Sequence, residues 1–414
     1  MKKNKYLTGI ILMMSCAALV QADFATINQV GVGARAFSFA NNYVALSNDL
    51  SGVFWNPGAL SLLPVREFQV STDFSRKSDI TDFNGTKSES YLQRMRIDNA
   101  GFLLALPTSR GGLTFAAAYQ SPYIFDDNPS FKGIYKDSSY NSYSRDYGNL
   151  NFWSGAFGLQ VAPGLGVGAA FSVVTGTEKT RRLFSMLYNG VVPDTFNDNY
   201  EDNVTRDYVG YDLRFGLLYS LNKVRFGARL VLPQTIWFSE SYTETYPSAP
   251  LWEYDTTRQG QLFSPINGAL GVSAALPFGT VSSELRFRAP YDAMNPEDSI
   301  PSYSAAHHSS VGAGLGVEIP LGNSNTLFRG GYSWDQYDTH LFALQYDNEN
   351  PGWSTEGLTV ARDRQLITAG LAYVAKSWSL EGSYGYQFWK LDTKSLLIEN
   401  NKLQRVLVSF SVRF

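Results

Sequence analysis

The 414-residue sequence is poor in the residues on which several classes of protein depend. Its single cysteine, Cys16, lies in an N-terminal leader, so we expect a mature chain without disulfides or cysteine metal ligands. Only three histidines occur, and His307 and His308 are adjacent, which in a strand places them on opposite faces. No metal-ligand spacing, phosphate-binding glycine loop or supported hydrolase arrangement is found. We therefore expect a protein that is not an enzyme and needs no cofactor.

Charge of one sign and long apolar runs are also lacking. The chain has 34 Lys plus Arg against 37 Asp plus Glu, and this net charge of −3 argues against a nucleic-acid-binding protein. Beyond the leader, no apolar run approaches the ~18–20 residues that a membrane-spanning helix needs. In the leader, three lysines precede an apolar run that ends near Ala22. This pattern predicts a secretory signal over residues 1–22, with lipoprotein processing at Cys16 as the alternative.

Aromatic residues and glycine are abundant, and the last strand shows where they matter. The chain has 27 Phe, 25 Tyr and 36 Gly, a mixture that fits aromatic girdles and tight β-turns. Val406, Val408, Phe410, Val412 and Phe414 share one face of an extended segment, while the other face is mostly polar. The wall of a barrel that faces lipid needs this alternation. The ending resembles the C-terminal recognition strand of bacterial outer-membrane barrels, which implies a contact between Phe414 and the barrel-assembly machinery.

From residue 66 to 414 the chain divides into paired alternating runs joined by short turns. The runs predict an all-β transmembrane antiparallel barrel of about 14 strands, with the short turns periplasmic. A soluble β-sandwich or propeller is the alternative, but it would have shorter strands. The longer polar stretches are expected to be loops at the outer end of the barrel; they cover residues 77–95, 124–144, 181–203, 241–258 and 339–359.

Residues 23–65 do not have a strand pattern. They contain Gly33-Ala-Arg-Ala36, the pair Asn48-Asp49 and the run Trp55-Asn-Pro-Gly58. This part of the chain resembles the N-terminal hatch of the long-chain fatty acid transporter family (FadL-type outer-membrane proteins). That family usually continues Asn-Pro-Ala, where this chain has Gly58. A disordered linker is the alternative, although linkers rarely carry so many aromatic residues. The hatch residues that we single out are Arg35, Asp49, Phe54, Trp55, Asn56, Pro57 and Gly58.

The resemblance implies a 14-stranded barrel whose lumen is plugged by the hatch, in the outer membrane of a Gram-negative-type bacterium. A hydrophobic substrate would enter from outside by passive diffusion and leave sideways through a gap in the wall. In the family this gap arises from a kink in the third strand. Here that strand contains Pro122, and Gly111 and Gly112 begin it. The alternative is that Pro122 simply ends strand pairing at the rim.

Two of the expected outer loops contain apolar residues. Residues 181–203 include Leu183, Phe184 and Leu187, and residues 241–258 include Trp252. In the resembled family, loops after the fifth and seventh strands form the first capture site for lipid-like ligands. The same residues could instead pack together as a lid.

Several arginines are expected to point into the barrel. If Leu221-Asn222 is a two-residue turn, Arg214 lies directly opposite Arg229, and Arg286 lies at a similar height. Like charges that face each other destabilise a sheet unless an anion lies between them. This anion is either a substrate carboxylate or an internal carboxylate. The internal candidates are Glu67, Glu284, Glu318, Glu381 and Asp49.

We therefore predict a transporter of hydrophobic compounds similar to long-chain fatty acids, with outer-membrane lipid and a hydrophobic small molecule as its partners. Two other functions stay open. One is a secretion-associated barrel that shuttles cargo, and the other is a general porin. The sequence leaves the ligand open between a fatty acid, an aromatic hydrocarbon and another lipid-like compound.

Overall fold

The structure is a computed structural model. Its described part does not include the predicted signal (residues 1–22), residues 23–27 or Trp252. The structure describes residues 28–106, 108, 111–135, 138–188, 198–246, 253–293, 305–307, 309–322, 324–336, 338–347, 352–361, 363–393 and 397–414. Within these ranges, no helix is both long enough and apolar enough to cross a membrane.

Alternating sequence becomes long antiparallel strands from residue 66 onward. The strands are β2 (Arg66–Phe83), β3 (Thr86–Leu106), β4 (Leu113–Ile124), β5 (Ser130–Tyr135), β6 (Ser138–Ala162), β7 (Leu165–Tyr188), β8 (Asp198–Leu221), β9 (Val224–Val231), β10 (Gln234–Thr245), β11 (Glu253–Ser264), β12 (Asn267–Leu276), β13 (Gly279–Arg288), β14 (Tyr291–Ala293), β15 (Ala305–His307), β16 (Ser310–Pro320), β17 (Thr326–Asp335), β18 (Asp338–Asp347), β19 (Gly352–Ala361), β20 (Arg364–Val374), β21 (Trp378–Thr393) and β22 (Leu397–Arg413).

The wall closes because its first and last strands pair with each other. One 18-stranded sheet includes β1 (Asn28–Gln29), and β2 pairs with β22 from Glu67↔Arg413 to Phe83↔Leu397. β4 with β5, β9 with β10 and β11 with β12 are each one span interrupted near a proline, while β1 lies beside the wall. The result is the predicted closed antiparallel barrel of 14 strands. The Phe414 amide donates to the Arg66 carbonyl (3.1 Å), and its side chain is 77% exposed.

Residues along each strand alternate between the two faces of the wall. In β22, Arg405, Ser409 and Ser411 are buried, while Val406 and Phe410 are exposed. Because lipid accepts the apolar face, this orientation places charge inside. Aromatic rings on the outer face form two rows, one towards each end of the barrel. Neighbouring pairs in these rows are Tyr373–Trp378 and Trp378–Phe410 near the short turns, and Tyr119–Trp153, Phe171–Tyr211 and Tyr211–Trp237 near the other end.

The prediction that the long polar stretches are loops is wrong for most of their length. Residues 77–95 continue β2 and β3 to a tight turn at Asn84-Gly85, where Asn84 has φ 46° and Gly85 has φ 84°. Residues 181–188 and 198–203 extend β7 and β8, and most of 241–258 extends β10 and β11. Polar residues continue a strand readily once neither of its faces meets an apolar environment along its whole length. The barrel therefore has long hairpins on one side and strands of about ten residues on the other, as in β13 and β16.

The N-terminal segment, defined here as the described residues 28–65, contains little regular structure. It comprises β1, helix α1 (Ala34–Ser38), helix α2 (Gly52–Trp55) and a 3-10 helix (Pro57–Leu62). Almost every side chain between Val30 and Ser61 is buried. Helices this short do not hold themselves together, so their surroundings must stabilise them.

Candidate functional site

The N-terminal segment is bound to the inner face of strands all round the barrel. The main hydrogen bonds are Gly33 N to Asp98 Oδ2 (2.7 Å), Arg405 NH1 to Val30 O (2.7 Å), Val44 N to Glu284 Oε2 (2.9 Å), Thr368 Oγ1 to Ser38 O (2.9 Å) and Asn56 Nδ2 to Leu217 O (2.9 Å). These partners come from β3, β22, β13, β20 and β8.

Glycines on the inner face of the wall give the segment its room. A Cβ built on Gly216 would lie 2.2 Å from the Asn56 side chain, and one built on Gly331 would lie 2.4 Å from the Phe39 backbone. Any larger residue at these positions would force the segment away from the wall. The other wall glycines in such close contact are Gly158, Gly166, Gly168, Gly227, Gly314, Gly316, Gly370 and Gly385.

Asn56, Pro57 and Gly58 start the 3-10 helix. The Asn56 side chain accepts from Gly58 N (3.1 Å) and donates to Val44 O (2.8 Å), so it caps the helix and ties two parts of the segment together. Pro57 occupies the first helical position, where no amide donor is needed. Gly58 lies against Gly216 so closely that a Cβ would come within 2.5 Å of its carbonyl oxygen.

Two charged residues of the segment have different surroundings. Arg35 donates to Glu318 at 3.1 Å, which ties the segment to β16. Asp49 is buried and accepts from the Ser51 amide (3.0 Å) and hydroxyl (2.6 Å). Burial raises the pKa of the Asp49 carboxyl, because it disfavours the charged form.

Aromatic rings from the segment and from the wall meet inside the barrel. The Phe54 ring lies 5.0 Å from the Trp55 ring, 6.5 Å from Tyr123 and 6.4 Å from Phe152, measured between centroids. We call this group, with Tyr208 and the apolar residues packed around it, the aromatic cluster. Its other buried members include Val32, Phe39, Leu150, Val174, Ile236 and Leu262. Trp55 is fixed in place by a hydrogen bond from Nε1 to Val32 O (2.9 Å).

Most of the inward arginines that the sequence singled out have protein partners. Arg214 donates to Asp212 (2.5 Å) and to Phe54 O (3.0 Å), with its guanidinium 3.9 Å from the centroid of the Phe54 ring. Arg286 donates to Asp335 (2.7 Å) and to the Asn42 side chain (3.0 Å). For these two residues the neutralising anion is internal. In the same way, Arg329 contacts Glu318 (2.7 Å) and Glu381 (2.8 Å).

Arg229 differs from these arginines. It is 6% exposed, and its Nε and NH1 are buried without a hydrogen-bond partner in the described part of the chain. Its surroundings include the rings of Phe54 and Trp55, 5.9 Å and 5.6 Å from the guanidinium carbon, and the buried Glu284 carboxylate, which interacts with it electrostatically without a hydrogen bond. A buried guanidinium that faces rings and has no acceptor is a strong potential anion-binding group.

The predicted pairing of Arg214 with Arg229 is wrong. The turn between β8 and β9 consists of Asn222 and Lys223, with Leu221 opposite Val224. Asn222 adopts φ 54°, as the first central residue of a tight hairpin turn requires. Moving the turn by one residue moves each cross-strand partner by two, so Arg214 faces Val231 and Arg229 faces Gly216.

Strands β3 and β4 separate part of the way along the wall. They pair from Leu106↔Leu113 to Asn99↔Gln120, and β3 then continues without β4 as a partner. The register of β4 on β6 shifts between Gln120 and Tyr123, around Pro122. β1 pairs with β4 at this point, and Val30 N donates to Pro122 O (2.9 Å). Pro122 therefore lies just beyond the point where the pairing of β3 with β4 ends, and the N-terminal segment pairs with β4 there. Gly111 and Gly112 lie at the turn before β4, where the two strands are still paired.

The predicted capture residues fall on both faces of β7. Phe184 is buried on the inner face, 5.2 Å from the Tyr200 ring in a second aromatic group that includes Phe83 and Tyr140. Leu183 and Leu187 are exposed on the outer face, 37% and 53%. The strand extension separates them, because neighbouring residues of a strand point in opposite directions.

Sequence reasoning missed several residues that hold the site. Asp212 neutralises Arg214, and Asp98 receives the Gly33 amide while Arg405 lies 3.7 Å from it. Asp212 could have been found, since it lies two residues from Arg214 on the same face. Asp98 could not, because its contact depends on a bulge between the strands at Ser71 and Thr72.

Comparison with known proteins gives a likeness of structure alone. No family model and no curated protein matches the sequence. A Pseudomonas aeruginosa FadL homologue is similar at 12% identity and a TM-score of 0.65, over 92% of this chain and 98% of that one. The P. putida toluene transporter TodX is similar at 14% identity and a TM-score of 0.63, over 94% and 99%. The Ralstonia pickettii toluene transporter TbuX gives 14% identity and a TM-score of 0.60, over 94% and 99%.

Identity at this level shows a shared fold and no more. The likeness nevertheless covers more than nine-tenths of the chain, well beyond the short stretch of sequence that suggested it. This chain therefore has the fold of the FadL-type transporters, which confirms the resemblance seen around Trp55-Asn-Pro-Gly58.

Proposed function

We propose that this protein transports hydrophobic small molecules across the outer membrane by passive diffusion. The observation that carries the proposal is the aromatic cluster, in which rings of the wall and of the N-terminal segment meet inside the barrel. A largely apolar site with a few polar groups is typical of small-molecule binding. The solved FadL homologue and toluene transporters share the fold, which supports the same broad function. In this proposal residues 23–65 are a hatch that plugs the lumen of the 66–414 barrel, after removal of residues 1–22.

The substrate class that fits this site best is a long-chain fatty acid or a similar hydrophobic acid. Arg229 lies beside the rings of Phe54 and Trp55 and has no acceptor among the described residues. A carboxylate would give it a charge-assisted hydrogen bond, while the alkyl chain would occupy the apolar surface. A neutral hydrocarbon would leave the guanidinium unpaired. Arg214 and Arg286 would shape the site without binding the acid, since both already have carboxylate partners.

The proposed entry lies at the end of the barrel with long hairpins, which would face outside. There Phe184 and Tyr200 give an inward-facing apolar surface. The proposed exit is sideways, where β3 leaves β4 near Pro122. β1 occupies the free edge of β4 at this point, so we propose that the exit opens when β1 moves away.

Ligand binding by the purified protein tests the function. The protein, extracted in a detergent without lipid, is presented with oleate, the alcohol of the same chain length and the matching hydrocarbon. We expect oleate to bind most tightly, and mass spectrometry to find apolar acids that co-purify. Failure to bind any of the three would contradict the transporter. Steady ion conductance across planar bilayers without ligand would indicate a porin instead, and co-purification with a larger translocon would indicate a secretion-associated barrel.

A reversible cross-link tests the lateral exit. Gln29 and Tyr123 face each other in a pair without direct hydrogen bonds, because Val30 and Pro122 form the bonded pair next to it. Side chains are closest in such a pair, which suits a disulfide. In the Gln29→Cys/Tyr123→Cys variant, we expect oxidation to stop oleate uptake by cells and dithiothreitol to restore it. Equal uptake in the oxidised and reduced forms would rule out an exit that needs β1 to move.

A further inference from the structure

The outer face of β6 and β7 changes from apolar to basic beyond the row of aromatic rings. Trp153 marks the end of the apolar band, and its indole donates to Thr175 (3.1 Å). Above it the outward residues are polar or tyrosine on β6 and polar on β7 as far as Arg181, and Leu183 and Leu187 follow on β7. Arg145 lies eight residues along β6 from Trp153, about 26 Å at ~3.3 Å per residue. With a strand tilt of about 40°, Arg145 lies ~20 Å beyond the apolar band, measured along the barrel axis.

Four cations form what we call the outer basic patch: Lys132, Arg145, Lys179 and Arg181. All four are exposed, and they lie on the adjacent strands β5, β6 and β7. Arg145 is directly opposite Arg181, and Lys179 is directly opposite Tyr147. The patch thus spans three strands, with Lys132 opposite Asn141 and ~13 Å along β6 from Arg145, in a protein whose net charge is −3.

The carboxylates beside the patch neutralise it only in part. Glu201 contacts Arg181 at 2.8 Å, and Asp207 accepts from Thr177 at 2.7 Å. Arg145 has the Tyr147 ring beside it, 5.9 Å from the guanidinium carbon, and Arg94 lies 4.8 Å from the same ring. Two guanidinium groups therefore share one aromatic ring. Like charges directly opposite each other in a sheet cost stability, and an anion bound between them would remove this cost.

We propose that the outer basic patch binds the phosphorylated sugar head group of a glycolipid in the outer leaflet. The position of the patch beyond the apolar band and its outward direction place it among lipid head groups. Arginine recognises phosphate through paired hydrogen bonds, and lysine adds a point charge. The outward direction of the side chains excludes a role in the interior path. The inference rests on the outer-membrane location in the proposed function, but not on the identity of the transported molecule.

Binding of lipopolysaccharide to the purified protein tests the patch. The probe is rough lipopolysaccharide with a phosphorylated inner core, and the comparison is the same material after its phosphates are removed. We expect the phosphorylated form to bind at least about tenfold more tightly, a ratio that corresponds to ~1.4 kcal/mol. Arg145→Gln/Arg181→Gln should abolish this preference. A matched control, Arg66→Gln/Lys376→Gln, removes two exposed cations near the short turns and should keep it.

Several results would overturn the proposal. They are equal binding of the two lipopolysaccharides, equal weakening by the control variant, or full displacement by millimolar inorganic phosphate. Lys179→Gln alone should lower the preference in part, which keeps the test decisive if the double variant does not fold. Oleate binding measured on the same variants separates this inference from the proposed function, because we expect it to stay unchanged.

Discussion

Two arginines inside the same barrel have opposite surroundings. Arg329 on β17 is 1% exposed and lies between Glu318 (2.7 Å) and Glu381 (2.8 Å) on the neighbouring wall. Arg229 on β9 is 6% exposed and has two aromatic rings beside it but no acceptor among the described residues. Both cations have been taken out of water. Arg329 is hydrogen-bonded to its carboxylates, whereas Arg229 has the Glu284 carboxylate nearby without a hydrogen bond to it.

The difference separates a structural role from a binding role. Arg329, Glu318 and Glu381 form a buried charged group that joins β17, β16 and β21. Glu318 also contacts Arg35 of the N-terminal segment. Removing one member of such a group leaves a buried charge unpaired. Arg229 already lacks hydrogen bonds at Nε and NH1 among the described residues, so the folded protein gains less from it than from Arg329. A buried cation that lacks hydrogen bonds and lies beside the aromatic cluster is expected to act on the ligand.

The largest expected effect is the loss of the structural arginine. Arg329→Met leaves the Glu381 carboxylate buried without its partner, while Glu318 keeps Arg35. We expect a loss of about 3–5 kcal/mol in the free energy of unfolding, the usual result of breaking a buried pair from one side. Tryptophan fluorescence during urea unfolding from lipid vesicles measures it. Arg329→Met combined with Glu381→Gln should recover part of the loss, and a single variant as stable as the native protein would contradict the structural role.

The second effect should appear in ligand binding instead of stability. Arg229→Met removes a charge that makes no hydrogen bond and keeps the bulk, while Glu284 retains Arg286 at 3.6 Å. We therefore expect a smaller loss of stability than for Arg329→Met. Oleate affinity should fall about 10- to 100-fold, because a hydrogen bond to a charged group contributes ~1.5–3 kcal/mol. Binding of the alcohol of equal chain length should not change. Arg229→Lys is the matched control and should retain part of the preference for the acid.

Opposite results would reverse the comparison. If Arg229→Met lost several kcal/mol and bound oleate normally, Arg229 would belong with Arg329 as a structural residue. Isothermal titration of oleate and of the alcohol into the same preparations separates the two outcomes.

The wall could be predicted from the sequence because its pattern is local. Alternation with period two, as in Val406, Val408 and Phe410, is enforced by lipid on one side and polar groups on the other. The length of the outer hairpins could not be predicted in this way. Beyond the apolar band both faces meet polar surroundings, so residues 77–95 lose the alternation that marks a strand while the backbone pairing continues.

The interior was predicted less well, because its contacts join residues distant in sequence. That Arg214, Arg229 and Arg286 point inward follows from the pattern, but their partners depend on register. One misplaced turn residue at Asn222 was enough to pair Arg214 with Arg229. The sequence could not show how Arg229 differs from Arg214 and Arg286. Asp212 and Asp335 pair with Arg214 and Arg286, but no residue near Arg229 in the sequence indicates that its Nε and NH1 lack a hydrogen-bond acceptor.

An intermediate effect is expected at the ring that links the two classes of arginine. The Phe54 ring lies 3.9 Å from Arg214 and 5.9 Å from Arg229, measured from the ring centroid to the guanidinium carbon. Phe54→Leu removes this cation–π contact and leaves a small void, so we expect a loss of about 1–2 kcal/mol. Phe171→Leu on the lipid-facing side is the control and should cost less, because lipid fills the space. Equal losses in urea unfolding would show that the interior ring has no special role.

The smallest effect is expected for a third arginine, at the surface. Arg181 contacts Glu201 at 2.8 Å, a distance as short as those at Arg329, but its side chain is 56% exposed. Water solvates both charges before and after the contact is broken, so proximity alone should contribute almost nothing to stability. We expect Glu201→Gln to leave the urea midpoint within experimental error in low and high salt, whereas Arg329→Met lowers it in both. A clear shift for Glu201→Gln in low salt would mean that distance, and not burial, determines how much an ion pair contributes to the free energy of unfolding. The contrast between Arg329 and Arg229 would then lose its physical basis.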